Sequence, residues 1–321
     1  MKTPEEIKAI AVKTINDECE AIENLKHSID EDFVKCVELI YGSGGRVVIT
    51  GIGKSANIAT KIVSTLNSTG TQAIFMHAAD AVHGDLGMIK PEDVIICISK
   101  SGNTPEIKVL APLLKLAGNK LIAIVGNKDS YLAQEADLVL DTTVSREACP
   151  NNLAPTSSTT AQLVMGDALA VALLECRGFT AMDFAKYHPG GALGKRLYLR
   201  VDDIYKNNAK PTVAMETGIR EIIIEISSKR LGCTAVEKDG KLVGIITDGD
   251  LRRMLQSKKD VTDIQAKDIL TPNPSTIEPT ALVSDALDKM RAKNITQLIV
   301  AENNEYLGII HLHDILKEGI I

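Results

Sequence analysis

Two short stretches of this 321-residue chain combine glycine, hydroxyl and lysine side chains as an anion cradle requires. The first is Thr50-Gly51-Ile52-Gly53-Lys54-Ser55, between an apolar run and a helical pattern. Its glycines let backbone approach an anion closely, the helix start offers unpaired N–H groups, and Lys54 adds a positive charge, with Gly53 and Ser55 beside it. It lacks Walker A spacing and the third glycine of a dinucleotide fingerprint, so a plain strand-to-helix turn stays open. The second, Ser99-Lys100-Ser101-Gly102-Asn103-Thr104-Pro105-Glu106, also runs from strand to helix, with Pro105 suited to the first turn. Capping explains one hydroxyl, that of Thr104. Ser99 and Ser101 then exceed what a cap needs and point to a phosphate.

A third polar loop, Ser145 to Pro155, carries Glu147, a candidate general base. Ser157, Ser158 and Thr159 follow it, placed to cap the next helix and to touch substrate. His83, before Gly84, and His188, before Pro189-Gly190-Gly191, sit among turn residues where an imidazole can exchange protons. No His, Cys and carboxylate set has ligand spacing, so no metal site is expected. The six cysteines are far apart and mostly in apolar runs, which reads as reduced core thiols.

Short β-branched runs position these loops. Val47-Val48-Ile49, Ala73-Ile74-Phe75, Val94 to Ile98, Leu121 to Val125 and Leu138-Val139-Leu140 alternate with helical segments, the pattern of a parallel sheet covered on both faces. A two-helix lead-in over residues 4 to 41, broken near Ser28, precedes them. A helix from about Ser158 to Cys176, apolar nearly all round, is expected in a core or a subunit interface. Aromatic residues make up 3% of the chain, which disfavours stacking platforms for single strands, and a net charge of −6 gives no footprint for nucleic acid. The N-terminus has no apolar leader pattern and no uncharged stretch approaches bilayer length, so a soluble cytoplasmic protein is expected.

Beyond residue 200 the chain repeats itself. Leu242-Val243-Gly244-Ile245-Ile246-Thr247-Asp248-Gly249-Asp250-Leu251 aligns with Tyr306-Leu307-Gly308-Ile309-Ile310-His311-Leu312-His313-Asp314-Ile315. Each copy is a strand ending in a polar turn with an Asp placed to cap a helix, and two copies imply a pseudo-symmetric pair.

Taken in order, Gly51-Ile52-Gly53-Lys54-Ser55, His83-Gly84-Asp85-Leu86-Gly87, the Ser99–Thr104 loop, Glu147-Ala148-Cys149-Pro150, Ala154-Pro155-Thr156-Ser157-Ser158-Thr159-Thr160 and His188-Pro189-Gly190-Gly191-Ala192-Leu193-Gly194 closely resemble the D-arabinose 5-phosphate isomerases. The resemblance runs from about residue 5 to the C-terminus. It implies an α/β fold: a three-layer, parallel-sheet sugar isomerase (SIS) domain over 1–200, then a tandem pair of cystathionine-β-synthase-type (CBS) modules over 205–321, in copies of about 205–262 and 266–321. It also implies interconversion of D-ribulose 5-phosphate and D-arabinose 5-phosphate for the Kdo sugar of lipopolysaccharide, without a cofactor. Catalytic roles then fall on Lys54, Glu106, Glu147 and His188, and substrate contacts on Gly53, Ser55, His83, Ser99, Ser101, Thr104, Ser157 and Ser158. Many members read Glu-Ser-Ser-Glu where this chain has Asn103-Thr104-Pro105-Glu106; the final Glu is kept. Thr247 and Asp250, and in the second copy Asp314, match the position where nucleotide-binding CBS modules hold a ribose. The expected partners are thus a phosphosugar, a nucleotide or nucleotide-sugar effector at the CBS pair, and further copies of the chain in a homotetramer, with neither nucleic acid nor membrane. Another phosphosugar isomerase and a non-catalytic phosphosugar sensor stay open beside this assignment.

Overall fold

The computed structural model describes residues 1–257 and 261–320. Residues 258–260 of the first expected repeat copy, and the expected end-point 321, lie outside the described residues. The chain divides into two compact units between Phe184 and Ala185.

The first unit opens with α1 (Pro4–Leu25), started by a Thr3–Glu6 capping box, and α2 (Glu31–Gly42), whose amides are capped by Asp30. Then β1 (Val47–Gly51), α3 (Lys54–Ser68), β2 (Ala73–His77), α4 (Ala78–Ala81), β3 (Val94–Ser99), α5 (Pro105–Leu116), β4 (Lys120–Val125), α6 (Tyr131–Glu135), β5 (Leu138–Asp141) and α7 (Ser157–Cys176) follow. All strand pairs are parallel and the order is β2-β1-β3-β4-β5. Alternate residues of each strand feed opposite faces. Val47, Ile49, Ile96 and Ile98 join the core with α2, α3 and α7, while Val48, Ile95 and Cys97 pack with α5 and α6. The expected three layers are therefore present.

That strand order has a consequence for ligands. After β1 the chain moves outward to β2 and then crosses back to β3, so the connections leave β1 and β3 on opposite faces. The cleft outside their carboxyl ends is where open α/β sheets bind ligands. The Thr50–Ser55 and Ser99–Thr104 loops both stand there.

Helix α7 packs against α1, α2 and α3, buries Ala161, Met165, Leu169 and Leu173, and ties Asp167 to Lys61 of α3. By length and composition alone α7 is apolar enough to cross a membrane although it carries Asp167 and Glu175, and its packing explains the composition as that of a core helix. Val171 stays 52% exposed, so its apolar circumference is only partly covered. The cysteines divide more evenly than expected: Cys36, Cys97 and Cys233 are buried, Cys19 and Cys176 are exposed, and Cys149 is half-buried.

In the second unit, helix Ile219–Lys229, hairpin Cys233–Lys238/Lys241–Thr247 and helix Asp248–Ser257 recur as helix Val283–Lys293, hairpin Gln297–Glu302/Glu305–His311 and helix Leu312–Lys317. Both hairpins carry an irregularity at the same place, Val236/Glu237 and Val300/Ala301. The copies share a core in which Cys233, Ala235 and Leu242 meet Ile299, Tyr306 and Ile309. Residues 185–200, which the sequence led us to group with the first domain, group here with the second unit. Lys195 pairs with Glu318 at 2.7 Å, and the Ser284 hydroxyl donates to the Arg196 carbonyl at 3.2 Å.

Candidate active site

Three helices start at the cleft. Helix α3 begins after Gly53, whose φ of 59° is the left-handed region that glycine adopts without strain. Helix α5 begins after Thr104 and α7 after Thr156, and none of these three residues caps its helix through a side chain. Helices α1, α2 and α6, by contrast, are capped by Thr3, Asp30 and Ser130. Thr104 does not cap α5 as expected: its hydroxyl is buried without a partner among the described residues, and so are those of Thr50 and Ser157. The unpaired Thr104 hydroxyl and the open starts of α3 and α5 at this cleft are donors of the kind a phosphate needs.

The cleft itself is a cavity of about 250 Å3. Lys54 and Ser55 come from the start of α3, Ser99, Ser101 and Thr104 from the loop after β3, and Ser158 from α7. Ser55 also donates to Gln162 of α7 at 3.2 Å. Gly102, at φ 63°, shapes the middle of the phosphate loop, and its amide donates to the Ser99 hydroxyl at 3.0 Å. Thr159, expected to touch substrate, lines the cavity too, and Lys100 and Gln162 are additions to the sequence-derived set. A lysine between two serines carries no pattern that separates it from a solvated surface charge.

Glu147 lies at 2% exposure behind this wall. Its Oε1 accepts from Lys100 Nζ at 2.5 Å and from the Ser158 hydroxyl at 2.5 Å. Its Oε2 accepts from the Thr156 amide at 2.8 Å, the Thr156 hydroxyl at 3.2 Å and the Ser158 amide at 3.1 Å. Burial would raise the carboxyl; the Lys100 ammonium, the Ser158 hydroxyl and the two amides outweigh it and hold it down to about 2. Ser157, Ser158 and Thr159 therefore do not cap α7 as the sequence suggested. The Glu147 carboxylate takes that place, where a negative charge is favoured by the helix dipole.

The other expected site residues are more dispersed. Glu106 is half-buried in the first turn of α5. His83 is exposed after α4, beyond the carboxyl end of β2, and does not line the cavity. His188 belongs to the second unit, on the turn between helices Ala181–Tyr187 and Ala192–Tyr198. A Cβ on Gly194 would stand 2.2 Å from the His188 carbonyl, so glycine is required to form that turn. No metal-holding group of His, Cys, Asp and Glu exists among the described residues.

Residues 39–172 match the SIS domain family, and 201–257 and 266–320 match the CBS domain. Over 314 residues, 97% of this chain and 96% of the relative, the sequence is 46% identical to arabinose 5-phosphate isomerase KdsD of Pseudomonas aeruginosa. This chain belongs to the arabinose 5-phosphate isomerase family. KdsD of Escherichia coli is 45% identical over 95% of this chain and 93% of its own length. An E. coli protein solved in complex with arabinose 5-phosphate superposes with a TM-score of 0.57 at 40% identity, covering 59% of this chain and all of its own.

In this arabinose 5-phosphate isomerase family member the two CBS copies have diverged. Asp250 is buried with both oxygens occupied: Oδ2 by the Thr247 amide at 2.8 Å and hydroxyl at 2.6 Å, Oδ1 by Arg253 at 2.6 Å and the Thr271 hydroxyl at 3.2 Å. Burial would raise this carboxyl, and those donors hold it below its ordinary value. The Thr247-x-x-Asp250 spacing thus works as a local cap on its own strand-to-helix turn. In the second copy Asp314 does not cap; it accepts from Asn208 at 2.7 Å beside a cavity of about 680 Å3 lined by Lys229, Arg230, His311, His313 and Lys317. The His311 and His313 rings stack 5.0 Å apart, and burial, then His313, keeps His311 below the usual imidazole range.

Proposed function

We propose that this chain interconverts D-arabinose 5-phosphate and D-ribulose 5-phosphate through an enediolate, and so supplies the Kdo branch of lipopolysaccharide synthesis. Near full-length identity of about 45% to curated isomerases of that name carries the assignment. The phosphate is held by Ser99, Ser101 and Thr104 with the open starts of α3 and α5, helped by Gly53 and Ser55. Glu147 takes the proton from C2 of the open-chain aldose; the C–H electron pair forms the C1–C2 double bond, and the carbonyl oxygen becomes the enediolate oxyanion. The C2 hydroxyl proton passes to that oxygen, and return of the proton held on Glu147, which exchanges there with solvent, to C1 gives the ketose. Lys54 balances the oxyanion or the phosphate, His188 passes a proton between the anomeric hydroxyl and the ring oxygen, and Glu106, His83, Ser157 and Ser158 orient hydroxyls.

The chain works as a catalytic domain to about residue 200 and a CBS pair over 205–321, in the cytoplasm, as a homotetramer. Exposed Ile7, Ile10 and Ile15 on α1 support burial against another copy. An effector, a nucleotide or nucleotide sugar, fits the second CBS copy, since its cavity is ringed by cations while Asp250 of the first is already filled. Incubation with arabinose 5-phosphate should yield ribulose 5-phosphate; no conversion would reject the assignment. Calorimetric titration of the full chain with AMP and CMP-Kdo should give saturable heat with one of them, and heat with neither would leave the CBS pair as an assembly element.

A further inference from the structure

In the state described, Glu147 cannot do the work assigned to it. Its side chain has no solvent exposure, and the two groups on Oε1, Lys100 and Ser158, both line the cavity and stand between the carboxylate and any sugar placed there. Four of its five donors are fixed, because Thr156 and Ser158 start a 20-residue helix packed in the core. Lys100 differs. Its side chain is 44% exposed on a flexible stem, and its ammonium holds Glu147 and nothing else among the described residues. Its backbone lies between Ser99 and Ser101, inside the phosphate loop.

We propose that Lys100 is a latch on Glu147: phosphate binding to the Ser99–Thr104 loop draws the ammonium away, which frees the side of Oε1 that it occupies while the Ser158 hydroxyl keeps the other, and leaves the carboxylate with neutral donors only. The latch step breaks one hydrogen bond and makes another, and Lys100 stays protonated throughout. A sugar phosphate near neutral pH carries close to two negative charges against the single charge of Glu147, so it competes with the carboxylate for the ammonium. Lys100 is the strongest of the donors that lower the Glu147 carboxyl, so its departure makes Glu147 a stronger base at the moment substrate is in place. Among the described residues no other cation bonds Glu147: Arg146, next in sequence, is turned to Asp17 of α1 at 2.7 Å, Lys54 lines the cavity without reaching the carboxylate, and the remaining donors to it are the amides and hydroxyls of Thr156 and Ser158. Lys100 is thus a positioning residue that couples proton transfer to phosphate occupancy.

This inference rests on Glu147 as the proton carrier of the isomerase reaction, and its test separates the two. In full-length protein carrying 13C-labelled glutamate carboxyls, the Glu147 signal is assigned by its loss from the titrating set in Glu147→Gln. The wild type is titrated alone, with inorganic phosphate, and with the equilibrated mixture of arabinose and ribulose 5-phosphates. The latch requires the proton affinity of Glu147 to rise about tenfold or more with ligand. Lys100→Met should show the raised affinity without ligand and no further change with it, together with a KM that rises more than kcat falls. Lys100→Arg should restore the ligand response. An unchanged wild-type carboxyl with both ligands overturns the latch even if sugar phosphates interconvert, and this comparison needs no Lys100 variant to fold. Failure of the sugars to interconvert rejects the isomerase assignment instead.

Discussion

Ser158 grips both oxygens of Glu147, with its amide 3.1 Å from Oε2 and its hydroxyl 2.5 Å from Oε1. The carboxylate therefore closes the amino end of α7 and at the same time fixes the loop from residue 147 to 158. Replacing Ser158 by Ala keeps the amide and removes the hydroxyl. A hydrogen bond to a buried charge is worth about 1.5–3 kcal/mol, so the melting temperature at neutral pH should fall accordingly. An unshifted melting curve would mean the hydroxyl contributes nothing.

Glu147→Gln should leave substrate binding in place and lower turnover by about two to four orders of magnitude, the range for loss of a general base. Steady-state kinetics with arabinose 5-phosphate checks this. Near-normal kcat would remove Glu147 from the proton-transfer role.

The same carboxylate links stability to acid. Its folded value of about 2 lies below its ordinary value of 4.5, so its stabilising contribution is fully present above about pH 4.5 and is lost as pH falls toward 2. That difference corresponds to a contribution on the order of 3 kcal/mol. Asp93 and Asp250 are lowered as well, so the wild type is compared with Glu147→Gln. The gap in melting temperature between them should narrow from pH 5 to pH 3, and a constant gap would count against the assigned charge state.

Gly102 tests the phosphate loop. A Cβ there would stand 2.1 Å from the Ser130 hydroxyl, and the φ of 63° adds about 1–2 kcal/mol for any residue with a side chain. Gly102→Ala should lower the melting temperature and raise KM for the sugar phosphate more than it lowers kcat. An unchanged KM would place phosphate elsewhere.

Much of this site was legible in the chain before its fold. Gly51 to Ser55 and Ser99 to Thr104 stand out because glycine and hydroxyls directly after β-branched runs mark strand-to-helix turns, and parallel strands bring such turns to one edge. Glu147 was legible as a carboxylate in a polar loop, but its burial was not, since that depends on α7 folding back so that Thr156 and Ser158 enclose it. Lys100 was passed over because its role depends on a partner 47 residues away. At Thr247 and Asp250, one spacing serves both a ribose site and a local cap, and the cap contacts, with Arg253 on the second oxygen, depend on the folded turn. The boundary near residue 200 followed the start of the repeat, whereas Lys195 and Arg196 are held by residues of the second copy.

The central claim, an enediolate formed by proton removal within the cavity of the first unit, is tested most directly by incubating the full chain with ribulose 5-phosphate in deuterium oxide and following the products by NMR. Arabinose 5-phosphate should appear with solvent deuterium at C2, and Glu147→Gln should slow the growth of both signals by about two to four orders of magnitude. Absence of arabinose 5-phosphate and of deuterium in the wild-type reaction would contradict the account.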